Sequence, residues 1–134
     1  MREFSLKIVT PDGVQYDGKA EELVVRTTTG DVGILAGHMN FVAPLGMGEA
    51  MVQIAGQRRK AACIGGMVSV LDGVVNLLPT TFEWEESIDI GRAKLSEERA
   101  QKILQNKNAT DTEIVMAKAR LKRALVRKGV AGRK

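Results

Sequence analysis

Phe4–Gly18 reads FSLKIVTPDGVQYDG, and its pattern decides the fold of the first part of the chain. Phe4, Leu6 and Ile8 alternate with other side chains, which predicts a strand with one buried face. Pro11-Asp12-Gly13 then supplies turn chemistry, because Pro fixes φ and Gly tolerates a positive φ. A strand followed at once by a tight turn predicts antiparallel β-structure.

The same pattern continues to about residue 86. Turn signals recur at Asp17-Gly18, Ala55-Gly56-Gln57 and Asp72-Gly73, with short apolar runs between them. The later predicted strands cover residues 14–16, 22–27, 32–35, 41–45, 49–54, 58–64, 67–71 and 74–78. Short strands at such regular spacing predict an all-β N-terminal sandwich or flattened barrel.

The chain changes character near Ser87. Residues 1–86 hold 7 Lys/Arg and 11 Asp/Glu, so their formal charge is 7 − 11 = −4, and they hold 11 of the 14 glycines. Residues 87–134 hold 13 and 5, a formal charge of 13 − 5 = +8. We therefore predict a β domain over residues 1–86 and a basic helical domain over residues 87–134, which should meet a negatively charged partner.

The second part has helical periodicity. Asp89 is a predicted N-cap of the first helix, and Asn106-Lys107-Asn108 ends it. Thr110–Glu113 fits a capping box for the second helix, which Gly129 should end. The predicted apolar stripes consist of Ile90, Ala93, Ala100, Ile103 and Leu104 on the first helix and Ile114, Ala117, Leu121, Ala124 and Leu125 on the second. These narrow, alanine-rich stripes predict a marginally stable antiparallel hairpin.

Several function classes find no support in the sequence. No phosphate-binding loop of the type GxxxxGK[ST] occurs, and His38 is the single histidine, so we expect neither a catalytic nor a metal site. The single cysteine, Cys63, excludes an internal disulfide and fits a reducing compartment. We find neither a secretory signal nor a run near the roughly 20 apolar residues of a membrane span, so any membrane association should come through a partner.

Four arginines form the most specific pattern in the basic half. Arg92 and Arg99 share one face of the first helix, and Arg123 and Arg127 share one face of the second. If those faces meet when the hairpin closes, their guanidinium groups converge on a site for phosphate oxygens. The spacing alone equally allows solvated helix faces.

Two carboxylates flank this pattern. Asp89 is a helix cap by its position, and its second oxygen can also accept a hydrogen bond from a base or a ribose. Glu83 either completes such a polar pocket or is an exposed carboxylate at a strand end.

The second helix carries further cations, namely Lys118, Arg120, Lys122, Arg123, Arg127 and Lys128. They fit an acidic protein surface, nucleic acid or simply water. No aromatic residues interleave with the charges, which disfavours nucleic acid.

At this point the chain resembles a known family, the epsilon subunit of bacterial F-type rotary ATP synthases. Gly30–Leu45, GDVGILAGHMNFVAPL, is similar to the family signature G-[DE]-x-G-[IV]-L-P-G-H-x-P-x-[VI]-x-x-L. Phe4–Gly18 resembles the family's first strands, and Ile64-Gly65-Gly66 stands where the family has S-G-G. The similarity covers nearly the whole chain.

The resemblance implies a sandwich of about ten strands followed by a C-terminal antiparallel two-helix hairpin. It implies a non-catalytic subunit of the central stalk that couples proton flow to ATP synthesis. The implied partners are the gamma subunit and the membrane c-ring, on the cytoplasmic face of the bacterial cell membrane, without membrane insertion. Asp31 is implied to face the c-ring loops, and His38 to lie at the surface that meets gamma.

The resemblance also implies regulation by the helices. Folded, they permit ATP hydrolysis; extended, they block it, with the basic second helix near the acidic C-terminal region of the β (and α) subunits. ATP is the implied regulatory ligand of the folded hairpin, and no cofactor is required. Ile88–Ala93 matches the family motif [IL]-D-x-x-R-A, so the implied ATP-binding residues are Glu83, Ile88, Asp89, Arg92, Ala93, Arg99, Arg123 and Arg127. The alternatives are a purely structural coupling subunit and a basic-arm nucleic-acid-binding protein.

Overall fold

The computed structural model describes residues 2–132, which form eight strands, one short 3-10 turn and two α-helices. The strands are β1 (Phe4–Thr10), β2 (Gly13–Ala20), β3 (Glu22–Thr27), β4 (Gly30–Leu35), β5 (Phe41–Pro44), β6 (Met47–Ile54), β7 (Gln57–Leu71) and β8 (Val74–Trp84). The 3-10 turn is Glu85–Ser87, and the helices are α1 (Ile90–Gln105) and α2 (Asp111–Ala131). The chain divides into two compact units between Glu85 and Glu86.

The first unit is the predicted β-sandwich. Its sheet has the order β2-β1-β8-β7-β6-β3-β4, and β5 pairs with β7. Neighbours pair in antiparallel fashion except β1 and β8, which are parallel. Alternate residues of β1 point inward, and the buried ones are Phe4, Leu6, Ile8 and Thr10. The fold class expected from the sequence is therefore confirmed.

The pattern predicts nine strands and the resemblance implies about ten, whereas the described residues form eight, because two strands predicted from the pattern are one continuous strand. β2 continues through Asp17-Gly18, where we had predicted a turn, since both residues pair with β1. β7 joins two predicted strands across Gly65-Gly66, whose φ values are 67° and 96°. Positive φ at both glycines lets β7 change direction, so it pairs with β6 over residues 57–64 and with β5 over residues 67–70.

The two predicted hairpin turns are confirmed. Ala55 and Gly56 have φ values of 51° and 79°, and Asp72 and Gly73 have values of 49° and 81°. Positive φ at both central residues defines a turn whose twist matches that of the flanking strands. These turns fix the β6–β7 and β7–β8 registers, and with them the positions of inward-facing side chains.

The second unit consists of α1 and α2, which pack against each other. The predicted end of α2 at Gly129 is wrong, because the helix continues to Ala131 and Gly132 caps it. Neither described helix is both long enough and apolar enough to cross a membrane.

Candidate functional site

The start of α1 is fixed by the predicted cap. The Asp89 Oδ1 accepts a hydrogen bond from the backbone N–H of Arg92 at 3.0 Å. This bond satisfies one of the four amide donors that an α-helix leaves unpaired at its start. Within the motif Ile88–Ala93, both flanking apolar residues are buried, with Ile88 8% and Ala93 3% exposed. The motif therefore sets the first turn of α1 and aims its Arg92 side chain outward.

The connection to α2 is short and locally determined. The Asn106 Oδ1 accepts from the Asn108 N–H at 2.9 Å, which closes the turn after α1. The Thr110 Oγ1 accepts from the Glu113 N–H and the Glu113 Oε1 accepts from the Thr110 N–H, both at 3.1 Å. The predicted capping box is confirmed, and the reciprocal bonds fix where α2 begins.

Alanines form the buried line of each helix. Ala93 and Ala100 on α1, and Ala117, Ala124 and Ala131 on α2, are each at most 6% exposed. Within each helix they lie seven residues apart, which is nearly two turns, so they follow one face. We call these five residues the alanine seam.

The seam is narrower than the predicted stripes. Ile90 and Leu125, predicted to be apolar stripe residues, are 38% and 48% exposed. The larger stripe residues Ile103, Leu104, Ile114 and Leu121 are only half-buried. Small side chains let two helix backbones approach closely, which leaves the bulkier residues at the margins of the contact.

An ion pair joins the middle of α1 to the last part of α2. The Lys128 Nζ lies 2.6 Å from the Glu97 Oε2, and the Lys128 and Glu97 side chains are 33% and 15% exposed. The two helices run antiparallel, so Lys128 reaches back toward α1 across the hairpin. We call this ion pair the interhelical clasp.

The clasp shows how each helix is rolled about its axis. At 3.6 residues per turn, Glu97 lies about 40° to one side of Ala93, whereas Arg92 and Arg99 lie about 100–120° to the other side. In the same sense, Lys128 lies about 40° to one side of Ala124, and Arg127 and Arg123 lie about 60–100° to the other. In an antiparallel pair, equal rotational senses face the same flank. The four arginines therefore share the flank opposite the clasp.

This arginine flank (Arg92, Arg99, Arg123 and Arg127) is accessible to a ligand. Arg92 and Arg99 are exposed, and Arg123 and Arg127 are half-buried. The geometry thus creates a cationic strip on one side of the hairpin, suited to a polyanion.

The other basic residues of α2 lie in different surroundings. Lys118, Arg120 and Lys122 are exposed, so they can meet an external surface. Lys128, grouped with them from the sequence, instead holds Glu97 in the clasp. Sequence analysis did not identify Glu97, because its partner lies 31 residues away and the contact depends on the roll of both helices.

The remaining predicted site residues lie in the first unit. Glu83 is half-buried on β8, opposite Ala62 of β7. Asp31 is the second residue of β4 and lies opposite Arg26 of β3, and its Oδ1 accepts from the Arg26 Nε at 2.5 Å. This contact raises the pKa of the exposed Arg26 guanidinium, chiefly through the hydrogen bond to Asp31. Sequence analysis missed Arg26, although a hairpin with its turn at residues 28–29 would have placed it opposite Asp31.

His38 follows β4 and is held at the surface. Its Nδ1 lies 2.8 Å from the Met39 carbonyl oxygen, so a proton on Nδ1 donates to that carbonyl. Its ring meets the edge of Phe41 at a centroid distance of 5.9 Å. Next to it, Met39 is 77% exposed. His38 therefore belongs to a partly apolar surface.

Family comparison covers both units. Residues 3–85 match the model of the family described as ATP synthase, Delta/Epsilon chain, beta-sandwich domain. Residues 86–132 match the one described as ATP synthase, Delta/Epsilon chain, long alpha-helix domain. The chain belongs to the ATP synthase delta/epsilon family. This membership confirms the expectation of an ATP synthase subunit rather than an enzyme in its own right.

Relatives match along their full length. A protein of Ruminococcus albus named ATP synthase epsilon chain is 39% identical over 135 residues, covering 100% of both chains. One of Bacillus velezensis with the same name is 42% identical over 132 residues, covering 98% of this chain and 99% of its own.

Solved structures show the same fold at lower identity. A chain of the Euglena gracilis mitochondrial ATP synthase, in a structure of OSCP/F1/c-ring, superposes with a TM-score of 0.84 at 22% identity, covering 95% of this chain and 80% of its own. A chain of the Tetrahymena thermophila mitochondrial ATP synthase central stalk/c-ring gives a TM-score of 0.66 at 12% identity, covering 97% of each.

Proposed function

We propose that the chain is a rotor subunit of the central stalk of a bacterial F-type ATP synthase, on the cytoplasmic face of the membrane. The observation that carries this proposal is the match of both units to epsilon chains over the whole length. Its partners are the gamma subunit, through the surface around His38, and the c-ring, through the hairpin tip that carries Asp31. In this position it takes part in coupling proton flow to ATP synthesis.

The hairpin of α1 and α2 is the proposed ATP sensor. The arginine flank supplies guanidinium groups for the phosphates, and the capped start of α1 supplies Asp89. A polyanion that binds guanidinium groups of both helices bridges α1 and α2, so it stabilises the closed hairpin. A ligand at 100 times its dissociation constant favours the closed state by ~2.7 kcal/mol, which is enough to control a marginal hairpin.

When ATP is scarce, the helices extend and inhibit hydrolysis. Lys118, Arg120 and Lys122 are exposed and then face the acidic region of the catalytic β subunits. Replacing all three with Ala should relieve inhibition of ATP hydrolysis in the assembled enzyme at low ATP. Unchanged inhibition would contradict the electrostatic account.

Calorimetric titration with ATP tests whether the hairpin binds this nucleotide, and a parallel titration with GTP is the control. Arg92→Ala and Arg123→Ala should each weaken ATP binding by about tenfold or more, since each removes a charge-assisted contact to phosphate. Lys102→Ala is the matched control, because Lys102 is exposed on α1 about 180° from the seam. Equal affinity in both arginine variants and in the control would exclude this flank as the ATP site.

A further inference from the structure

The interhelical clasp is an ion pair at the edge of a helix contact whose buried side chains are alanines. It lies beside the alanine seam, with Glu97 only 15% and Lys128 33% exposed. Ordering two long side chains costs conformational entropy, and an exposed ion pair contributes little net stability. What such a pair contributes is a preference for one side of the contact, because the two charges meet only when the flanks that carry Glu97 and Lys128 lie side by side.

The alanine seam alone does not determine the relative roll of α1 and α2. Its methyl groups form a nearly smooth surface, so packing along the seam distinguishes weakly between neighbouring rolls of the helices. A polar contact at one level of a helical pair can select a single arrangement from such alternatives. The clasp is such a polar contact, and it can select one relative roll of α1 and α2.

We propose that Glu97 and Lys128 are positioning residues of the hairpin: their contact sets the roll of α1 against α2 and so assembles the arginine flank on the opposite side. The part of this inference that concerns a polyanion rests on the proposed function. Neither residue touches the anion, because the clasp and the arginines occupy opposite flanks of the seam.

The clasp also engages the Lys128 ammonium while the hairpin is closed. While its ammonium holds Glu97 at 2.6 Å, it cannot contact an external acidic surface. Opening the hairpin breaks this contact and releases one cation for a partner. Closure and any outside contact of Lys128 are therefore competing states of the same side chain.

Distances between spin labels in the full-length protein test the clasp without any ligand. Labels on Gln101→Cys and Lys122→Cys, both exposed, report the separation of α1 and α2. Cys63 stays in place, since it is 3% exposed and does not compete for the label. The otherwise unchanged chain should give one narrow distance distribution.

Glu97→Gln and Lys128→Met should broaden this distribution and raise the open fraction by about threefold to tenfold, the range of a partly exposed charge-assisted contact. The exchanged pair Glu97→Lys with Lys128→Glu should restore the narrow distribution, which a purely packing role of these side chains would not predict. Glu98→Gln is the matched control, because the adjacent Glu98 is exposed and carries the same charge. Equal distributions in Glu97→Gln and Glu98→Gln would overturn the proposal.

ATP titration of the same variants tests the link to the arginine flank. Glu97→Gln should weaken ATP binding by about threefold to tenfold, and the exchanged pair should recover it. A broadened distance distribution with unchanged affinity would overturn the positioning of the flank. If the unchanged protein binds no ATP, the proposed sensor fails, while the distance measurement still decides the clasp.

Discussion

Gly66 is the position in the sheet where a side chain meets the greatest obstruction. A Cβ there would lie 2.0 Å from the Leu78 carbonyl oxygen and 2.7 Å from the Pro79 Cα, both backbone atoms. The residue also has a φ of 96°, which L side chains rarely adopt. β7 can therefore pass close to β8 at this point only as glycine.

Gly66→Ala should destabilise the first unit by about 3 kcal/mol or more, because strain in φ adds to a clash with backbone. Gly73→Ala separates the two effects: its φ is 81°, but a Cβ there meets nothing within 4 Å, so only the strain of about 1 kcal/mol applies. Gly33→Ala, with an open Cβ position and no positive φ, is the neutral control. Urea unfolding gives the free energy of unfolding of all three variants. Equal losses for Gly66→Ala and Gly73→Ala would show that β8 moves away from the added Cβ without an energetic penalty.

Single residues were predictable where their role is local. The Asp89 cap, the Thr110–Glu113 box and the turn at Asp72-Gly73 were all confirmed, because each depends on residues within a few positions. The roles of Glu97 and Arg26 were not predictable in the same way. Each depends on a partner brought close by the pairing of whole elements, and spacing along one helix or strand does not show it.

At the scale of elements, the start of α2 should depend on pH. The pKa of Glu113 is lowered from its ordinary value of 4.5, chiefly by the hydrogen bond that its carboxylate accepts from the Thr110 backbone N–H. A lowered carboxyl pKa stabilises the folded state fully above about pH 4.5, and this contribution is lost as the pH falls through the lowered value. The first turn of α2 should therefore fray in acid.

Amide hydrogen exchange of the first turn of α2, followed by NMR from about pH 6 to about pH 3, measures this fraying. These two pH values bracket the usual pKa values of side-chain carboxyl groups. In the unchanged chain the protection factor, which is the intrinsic exchange rate divided by the observed rate, should fall as the pH is lowered. Glu113→Gln keeps a side-chain acceptor but does not titrate, so its exchange should follow the intrinsic dependence alone. The same acid response in both proteins would show that another group controls the cap.

Element ends were harder to predict than element types. Glycine and aspartate at positions 17–18 signalled a turn, yet pairing with β1 holds them within β2. Gly129 signalled the end of α2, yet the helix continues because the seam extends to Ala131, which is 6% exposed. Packing overrides local preference in both cases, and packing is not visible in a short window of sequence.

At the scale of the whole molecule, the first unit should fold without the second. Its core draws on β1, β3, β4, β6, β7 and β8, and its single tryptophan, Trp84, makes contacts with Phe82, Arg59 and Gln15 of the same unit. A chain of residues 1–86 should therefore unfold cooperatively, as judged by Trp84 fluorescence and far-ultraviolet circular dichroism together. Two non-coincident transitions, or none, would show that the helices are needed to complete the sandwich.

Composition predicted the two-part organisation, since the change in charge and glycine content near residue 86 is large. The sequence pattern alone does not predict the order of the strands in the sheet. β1 and β8 lie side by side in parallel although some 60 residues separate them in the chain. Such a pairing is settled by the closure of the whole sandwich and leaves no local signal.

The alanine seam has a consequence for the hairpin if it opens as proposed above. Because the side chains along the seam end in methyl groups, parting the helices exposes less apolar surface than parting helices joined through leucine or phenylalanine would. The second unit also carries a net positive charge, which opposes association between copies. Under the proposed function, an arm built in this way has a weak tendency to aggregate in its open state.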